Sequence, residues 1–257
     1  MNVKVFGADF NEDIFRDMFA DEITFRKLDF YDEDTYDECL RGINSVFLMR
    51  PPQISRIRKY MKPFIKKMAE HKIEHVVSLS IVGANILTPH YRMEKKVEKY
   101  GLPYTHIRAG FFMQNLITTH LEIIRKENKL CIPAGDGKTS FIDARDIAEV
   151  AAMVLKTGNY KNDILRVTGL EALDYYEVAK RMSSILDRKI TYTAPSTREF
   201  KKKMKVYGYE KKFLRIVSIL YLTVRLGKAS TIYYDVEKVL GREPKKIDEF
   251  IRDYKPF

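Results

Sequence analysis

The first two-thirds of the chain alternates short runs of β-branched residues with longer amphipathic stretches, and this alternation constrains the fold more than any other feature. Strands that alternate with helix-length segments are typical of a parallel sheet with crossover helices. The pattern predicts strands over residues 3–6, 23–28, 45–49, 75–80 and 104–108, and helices over residues 12–19, 34–41, 55–70 and 91–100. The predicted fold class is α/β, with a doubly wound parallel sheet.

The helix predicted over residues 55–70 shows the helical period most clearly. One of its faces is apolar, and the other is mostly basic; the apolar face comprises Ile57, Tyr60, Met61, Phe64 and Met68. Pro63 falls inside this helix and is expected to kink or divide it. Residues 45–49 and 75–79 are almost continuously apolar, as strands buried in a parallel sheet are.

After residue 108 the pattern changes. We expect a helix over residues 111–126, a short strand over 130–133, a tight turn at 134–137 and a strand over 164–168. Asp143 is a candidate N-cap of a helix that runs to about residue 155. The remainder is mostly helical, with one strand near residues 190–193. The chain is therefore expected to divide into a sheet domain over residues 1–155 and a smaller lobe over residues 156–257.

The net charge of +11 raises the question of an acidic partner. The basic clusters lie among helix-forming residues without arrayed aromatic side chains, which favours solvated helix faces and argues against sequence-specific nucleic-acid binding. No apolar run approaches the ~20 residues of a membrane span, and the N-terminus does not have the pattern of a secretory signal. We expect a cytoplasmic protein that does not bind membranes.

The sequence offers no metal-binding pattern. Cys39 and Cys131 lie far apart and match no metal-ligand spacing, so reduced thiols are expected. His71 and His75 are four residues apart, but a predicted strand begins at His75, so the two histidines are not expected to share a helix face.

Several short strings, in their order and at their distances, resemble the NmrA-like branch of the short-chain dehydrogenase/reductase superfamily. They are residues 45–52 (SVFLMRPP), 75–80 (HVVSLS), 82–84, 101–115 (GLPYTHIRAGFFMQN), 132–150, 168–169 and 176–178. The resemblance implies a Rossmann-like NAD(P)-binding domain over residues 1–155, shortened at its N-terminus, and a mostly helical, substrate-side lobe over residues 156–257.

The resemblance places a dinucleotide cleft beside the loops that follow the strands, which is where ligands gather in an open parallel sheet. The expected contacts of an NADP or NAD cofactor are Asp29, Phe30, Met49, Arg50, Pro51, Ser80, Gly110, Phe111 and Phe112. Asp29 fits either a group near the adenine or a turn residue. Phe111 and Phe112 fit either a wall against a nicotinamide or quinone ring or ordinary core packing.

The glycine loop of such proteins is missing. Relatives open with a strand, a Gly-x-x-Gly-x-x-Gly loop and a helix whose N-terminus faces the pyrophosphate. This chain has Gly7 alone, followed by Asp9, Glu12 and Asp13, and these acids would repel a phosphate. Cofactor binding is therefore in doubt.

Two alignments with the family remain open. Residues 3–6 match either the family's second strand, with the first strand and its helix absent, or the first strand, with a later β–α segment deleted. The first alignment keeps the following segments in register, but it removes a central strand and exposes two unpaired edges. Residues 3–6 would then have moved into the vacant position, or the start of the chain would be wrongly assigned.

The catalytic residues implied by the resemblance are a Tyr-x-x-x-Lys pair on a helix and a serine on the preceding strand. Tyr91, Lys95 and Ser80 fit that spacing, with the lysine lowering the pKa of the phenol. Aligned on residues 101–105, however, the usual lysine position falls nearer His90, and its tyrosine position falls on Ile86. His90 is thus a second candidate acid or base, or a residue at the start of a helix. Asp143 and Asp146 fit helix capping better than ligand binding.

Three functions fit these observations. The first is an NAD(P)H-dependent reductase that transfers hydride to a quinone-like or carbonyl small molecule. The second is a non-catalytic dinucleotide sensor that acts through a regulatory protein partner, and the third is a truncated, cofactor-free member of the family. The sequence leaves homodimer formation open.

Overall fold

The computed structural model describes residues 4–20 and 22–254 of the 257-residue chain. Its elements confirm the predicted α/β class. Their contacts group into two compact units, the first comprising residues 1–108 and 151–165 and the second comprising residues 109–150 and 166–257. The division predicted at residue 155 remains a prediction.

The elements from the start of the chain to residue 109 are β1 (Phe6–Asp9), α1 (Glu12–Phe19), β2 (Thr24–Lys27), a 3₁₀ turn (Glu33–Thr35), α2 (Tyr36–Leu40), β3 (Ser45–Leu48), α3 (Ile57–Tyr60), α4 (Lys62–Glu70), β4 (His75–Ile81), α5 (Pro89–Lys99) and β5 (Tyr104–Ala109). They are followed by β6 (Phe111–Phe112), α6 (Asn115–Thr118), α7 (Leu121–Glu127), β7 (Lys129–Cys131), β8 (Thr139–Ile142), α8 (Ala144–Thr157), β9 (Asp163–Val167), β10 (Ala172–Leu173), α9 (Tyr175–Leu186), β11 (Thr191–Thr193), α10 (Thr197–Val206), α11 (Lys211–Arg225), α12 (Asp235–Leu240) and α13 (Ile247–Asp253).

The strands of the first unit form two separate groups. β1 pairs with β2 in parallel, with Phe6 opposite Thr24. β3 pairs in parallel with β4, with Ser45 opposite His75, in a four-stranded sheet of order β3-β4-β5-β9. Within the described part of the chain, no strand pairing joins β1 to β3. This separation argues against residues 3–6 having moved into a central position.

The strand predicted over residues 3–6 is misplaced. β1 begins at Phe6 and includes Gly7, Ala8 and Asp9, whereas Lys4 and Val5 are outside any strand and residue 3 lies outside the described residues. Pairing with β2 extends the strand through Gly7 and Asp9, although glycine and aspartate are depleted in strands. Tertiary pairing therefore overrides the local propensity here.

The apolar core of the first unit lies among β3, β4 and the helices α2, α3, α4 and α5. The sequence predicted that Pro63 would divide its helix, and this is confirmed: α3 and α4 are separated at Met61, and Pro63 lies at the start of α4, where its missing N–H is tolerated. The core side chains include Tyr36, Leu40, Leu48, Ile57, Met61, Phe64, Met68, Val76, Met93 and Val97.

The β1–α1–β2 segment is less well covered than this core. Phe15 is the buried side chain that the described part of α1 contributes. On the same helix, Ile14 and Met18 are 53% and 69% exposed, and on the edge strand β3 Phe47 is 41% exposed. Exposed apolar side chains of this kind mark elements that lack a complete cover.

The helix predicted over residues 111–126 is wrong at its start. Phe111 and Phe112 form β6, which pairs in parallel with Phe141 and Ile142 of β8, and two short helices follow. Apolar spacing alone could not distinguish this half-buried aromatic strand from a helix. The core of the second unit is built around large side chains such as Tyr175, Phe200, Tyr221 and Phe250.

Candidate functional site

In the turn between β1 and α1, two backbone N–H groups already have side-chain acceptors. The Asp9 carboxylate accepts from the Asn11 N–H at 2.9 Å, and the Asn11 side chain accepts from the Ile14 N–H at 3.1 Å as the N-cap of α1. Glu12 and Asp13 occupy the first turn. Their negative charges interact favourably with the positive end of the helix dipole and would repel a phosphate. The N-terminus of α1 therefore does not fit a dinucleotide pyrophosphate.

Gly7 has a packing role at this place. A Cβ atom on Gly7 would lie 2.3 Å from the ring of Phe15, so the absence of a side chain allows α1 to pack closely against β1. This contact explains the glycine without any ligand.

The N-terminus of α5 has the opposite character. Thr88 caps the helix, its hydroxyl accepting from the Tyr91 N–H at 3.4 Å, and Pro89 opens the first turn. That turn contains no acidic residue. The positive end of the dipole is therefore not offset by a carboxylate within its own first turn.

Arg50 follows β3 and approaches this helix end. Its Nη1 donates to the carbonyls of Pro51, Pro52 and Ile54 at 2.9, 3.2 and 2.8 Å, and its Nη2 lies 3.3 Å from Nε2 of His90. Burial lowers the pKa of the Arg50 guanidinium, but a guanidinium stays protonated in proteins. Among the described residues, no carboxylate forms an ion pair with Arg50.

His90 is neutral near pH 7. Burial, followed by the adjacent Arg50 charge, lowers the pKa of His90 to about 4. Because Arg50 can only donate, Nε2 of His90 is assigned as the acceptor and Nδ1 as the protonated nitrogen. Nδ1 of His90 and Nε of Arg50 are both buried, and neither has a hydrogen-bond partner in the part of the chain that the structure describes.

A buried ionic network lies one turn further along α5. Glu94 is fully buried, and its two oxygens accept from Nε and Nη2 of Arg108 at 3.0 and 2.6 Å. The Ser80 hydroxyl donates to Glu94 Oε1 at 2.5 Å. Burial alone would raise the pKa of Glu94, but the hydrogen bonds from Arg108 and Ser80 outweigh it and hold the pKa below its ordinary value. The Ser80 hydroxyl proton is thus committed to Glu94.

Tyr91 and Lys95 come together, but not as a phenol–ammonium pair. Nζ of Lys95 lies 5.3 Å from the centre of the Tyr91 ring, over its face, and donates to Glu98 at 2.6 Å. A cation over the ring face makes no hydrogen bond to the phenol oxygen, so this contact differs from the tyrosine–lysine arrangement of such enzymes. Their assignment as an acid–base pair remains a prediction.

The other predicted cofactor contacts of the first unit have structural partners of their own. The Asp29 carboxylate accepts from the Tyr31 N–H at 2.8 Å, as in a turn. Phe30 packs edge-on against Phe64 in the core. Met49 is 59% exposed, beside Arg50 at the end of β3.

In the second unit, Gly110 marks a close approach of backbones. A Cβ atom there would lie 3.0 Å from the Ser140 carbonyl oxygen, and the Gly110 N–H donates to Val167. Phe111 and Phe112, which follow, are half-buried strand residues. Their role as a ligand wall remains a prediction.

The two acidic residues at the start of α8 have polar partners. Asp143 accepts from Gln114 and from Arg145, and Asp146 accepts from Arg242 and from the Lys245 N–H. These contacts agree with structural roles for both carboxylates rather than with ligand binding.

No cluster of three or more potential metal ligands occurs among residues 4–20 and 22–254. Cys39 and Cys131 are buried free thiols. Over the same part of the chain, no helix combines the length and the apolar character needed to cross a membrane.

The comparisons with known proteins agree with this architecture. The model of the NmrA-like family matches residues 13–256. The chain belongs to the NmrA-like family. Among curated proteins, this NmrA-like chain is 26% identical over 254 residues to Prestalk A differentiation protein A of Dictyostelium discoideum, covering 98% of this chain and 83% of that protein. It is 29% identical over 226 residues to an NAD(P)H azoreductase of Xenophilus azovorans, with coverage of 85% and 78%.

A solved structure shows the fold of this NmrA-like protein. The NADPH complex of an NADPH-dependent quinone oxidoreductase from Escherichia coli superposes with a TM-score of 0.87 at 18% identity, covering 97% of this chain and 90% of that one. At this identity the likeness establishes the Rossmann-like α/β fold.

Sequence reasoning missed two features of the site. The partnership of Glu94 with Arg108 was not foreseen, although a carboxylate on the apolar face of α5 together with an arginine in a buried strand is a signal for such a pair. The contact between Arg50 and His90 was also not foreseen, because it joins residues 40 positions apart in the chain.

Proposed function

We propose that this NmrA-like protein is an NAD(P)H-dependent reductase acting on a quinone-like or carbonyl small molecule. The observation that carries the proposal is the family match over residues 13–256, because it covers β2 to β11 and the loops that follow these strands, where ligands bind in such a sheet. Two of the similar proteins, an NAD(P)H azoreductase and an NADPH-dependent quinone oxidoreductase, are reductases by name.

The dinucleotide is held at the ends of β3 and β4 rather than at α1. The acidic first turn of α1 does not fit a phosphate, whereas the first turn of α5 is free of acids and Arg50 stands beside it. The residues that would hold NADP or NAD in the first unit are therefore Met49, Arg50 and Pro51. When bound, the nicotinamide would supply a hydride.

The protein's own groups would handle the proton. A neutral His90 can polarise an acceptor oxygen through an N–H group, as neutral imidazoles do in other enzymes. Ser80 positions Glu94 and gives no proton, because its hydroxyl already donates to that carboxylate. Tyr91 is the alternative proton donor, with Lys95 over its ring.

The test is NADPH oxidation by the full chain in the presence of a quinone or an azo dye, followed by absorbance. We expect turnover in the wild type and at least a tenfold loss of kcat/KM in His90→Gln, in line with the loss of a general acid–base group. His71→Gln is the matched control, because it removes an imidazole at the end of α4. A folded chain that binds no NADPH at millimolar concentration contradicts the proposal.

A non-catalytic dinucleotide sensor is the second candidate. Two contacts favour it: Lys95 is bound to Glu98, and the Ser80 hydroxyl is bound to Glu94, so neither residue is arranged as in a Tyr–Lys–Ser catalytic set. NADPH binding without turnover across a range of quinones, azo dyes and carbonyl compounds is the result that supports this candidate over the reductase.

A further inference from the structure

Arg50 differs from several other arginines of the chain in the kind of group that its guanidinium contacts. Arg108, Arg145 and Arg181 each pair with a carboxylate within 3.0 Å, on Glu94, Asp143 and Glu171 respectively. Arg50 is only partly exposed and its hydrogen bonds go to backbone carbonyls and to a neutral imidazole. A partly buried cation without a counter-charge is unfavourable unless something else supplies that charge.

Arg26 gives a useful contrast, because its guanidinium also donates to backbone carbonyls. Its Nη1 donates to the carbonyls of Glu38, Cys39 and Arg41 at the C-terminal end of α2. That end of a helix carries a partial negative charge, so the contact is electrostatically favourable. Arg50 instead contacts His90 in the first turn of α5, at the positive end of a helix.

The hydrogen bonds of this cluster also lack acceptors. Nε of Arg50 and Nδ1 of His90 are buried N–H donors that have no acceptor among residues 4–20 and 22–254. A buried donor without an acceptor loses its hydration with no compensation. The nearest carboxylate along α5, Glu94, has both oxygens engaged by Arg108. What the cluster lacks is an anionic acceptor.

We propose that Arg50, His90 and the first turn of α5 form a binding site for an anionic group of a ligand, a phosphate or a carboxylate. A guanidinium suits both, because its planar fork matches their paired oxygens. The helix end adds the positive end of its dipole, although it has few backbone donors, because Pro89 has no N–H and the Tyr91 N–H already donates to Thr88. Only the identity of the molecule that carries the anion rests on the proposed reductase function.

The first experiment uses inorganic pyrophosphate, measured by calorimetry at physiological salt with the full chain. Arg50→Gln is expected to weaken binding at least about tenfold, as the loss of charge-assisted hydrogen bonds does. Arg58→Gln is the matched control, since it removes one positive charge from an exposed position on α3 and is expected to stay within about twofold of the wild type. Equal affinities of the two variants would mean that pyrophosphate is attracted only by the net charge, and would overturn the site.

Arg50 also holds its own loop through three carbonyls, so Arg50→Gln could lower the stability of the fold. His90→Gln provides a second test, because it leaves those contacts in place. We expect His90→Gln to weaken pyrophosphate binding as well, with a melting temperature close to that of the wild type. Unchanged affinity in a folded His90→Gln variant contradicts the site.

The second experiment identifies the carrier of the anion. If Arg50→Gln weakens NADPH binding by the same factor as pyrophosphate binding, the anion is a phosphate of the dinucleotide. If NADPH binding is unchanged and the KM of a carboxylate-bearing azo dye rises, the anion belongs to the substrate. If the chain binds pyrophosphate through Arg50 but binds no NADPH, the reductase function is refuted and the anion site is kept. If Arg50→Gln and Arg58→Gln turn over equally fast, the anion site is refuted and the reductase function is kept.

Discussion

The N-termini of α1 and α5 are the same structural feature with opposite electrostatics. Each helix begins a few residues after a strand of the first unit and is capped by a polar side chain, Asn11 in α1 and Thr88 in α5. The first turn of α1 holds Glu12 and Asp13, whereas the first turn of α5 holds no acid and contacts Arg50 through His90. The N-terminus of a helix that follows a strand therefore suits a phosphate only where no acidic side chains surround it.

The strands before these helices differ as well. β1 belongs to a two-stranded pair with exposed apolar residues on the adjoining α1, whereas five of the seven β4 residues are fully buried between neighbours. The second region is the more completely built of the two. Ligand binding is more precise on rigid elements than on partly covered ones, so the better-packed region is also the better place for a site.

The largest expected effect comes from the buried network that Glu94 of α5 forms with Arg108 and Ser80. Glu94→Gln is expected to lower the free energy of unfolding by about 3 kcal/mol, because it leaves the largely buried Arg108 without its carboxylate. Glu98→Gln, on the same helix but paired with Lys95 near the surface, is expected to lower it by less than about 1 kcal/mol. Chemical denaturation of both variants measures the difference. Equal losses would show that the network does not hold α5 in place.

The second expected effect is a pH dependence of the free energy of unfolding, caused by His90 in the first turn of α5. His90 has a pKa of about 4 in the fold, below its ordinary value of 6.5. Between these values the unfolded chain binds more protons than the folded chain, so stability falls as the pH falls from 6.5 towards 4. His90→Gln removes this contribution. Its loss of stability between pH 6.5 and 4.5 should be smaller than that of the wild type by about 2 kcal/mol.

His106 and His120 also titrate with lowered pKa values, about 4 and about 3, and they remain in both proteins. Comparing the variant with the wild type at each pH therefore isolates His90. If the free energies of unfolding of the variant and the wild type fell by the same amount over this pH range, His90 would not be held neutral by the fold.

The third expected effect separates the two helix caps. Asn11→Ala and Thr88→Ala each remove an N-cap and should each lower the free energy of unfolding by about 1 kcal/mol. Only Thr88→Ala should also weaken pyrophosphate binding, because only the α5 end contributes to the anion site. Calorimetry on both variants tests this, and a loss of binding in Asn11→Ala would be evidence for a site at α1.

The smallest expected effect concerns the acids of α1. Asp13→Asn removes a favourable interaction with the helix dipole and should lower the free energy of unfolding by about 0.5 kcal/mol. NADPH affinity should change less than about twofold, as expected for an exposed charge that water and salt screen. An increase of tenfold or more would show that α1 takes part in binding and that its acids merely weaken it.

Much of the fold could be predicted from the sequence where pattern and packing agree. The apolar runs at β3 and β4 and the proline that separates α3 from α4 each correspond to observed elements. Their local preference and their burial point to the same structure. The β1 boundary and β6 could not be predicted, because pairing with another strand decides them.

The site was only partly accessible from the sequence. Arg50 and His90 were each singled out, one as a cofactor contact and the other as a candidate acid or base, but nothing in the chain linked them. Their contact depends on the distance between the end of β3 and the start of α5, which only the folded chain sets. Likewise, the commitment of the Ser80 hydroxyl to Glu94 depends on the burial of a carboxylate that a solvated helix would expose.

The most direct test of dinucleotide binding at the α5 end is to map the amide resonances of the ¹⁵N-labelled chain during titration with NADPH. We predict that the largest shifts occur in residues 50–54 and 81–91, around Arg50 and the first turn of α5, while residues 7–13 keep their positions. Shifts concentrated in residues 7–13 would contradict it, because the dinucleotide would then bind at the acidic N-terminus of α1.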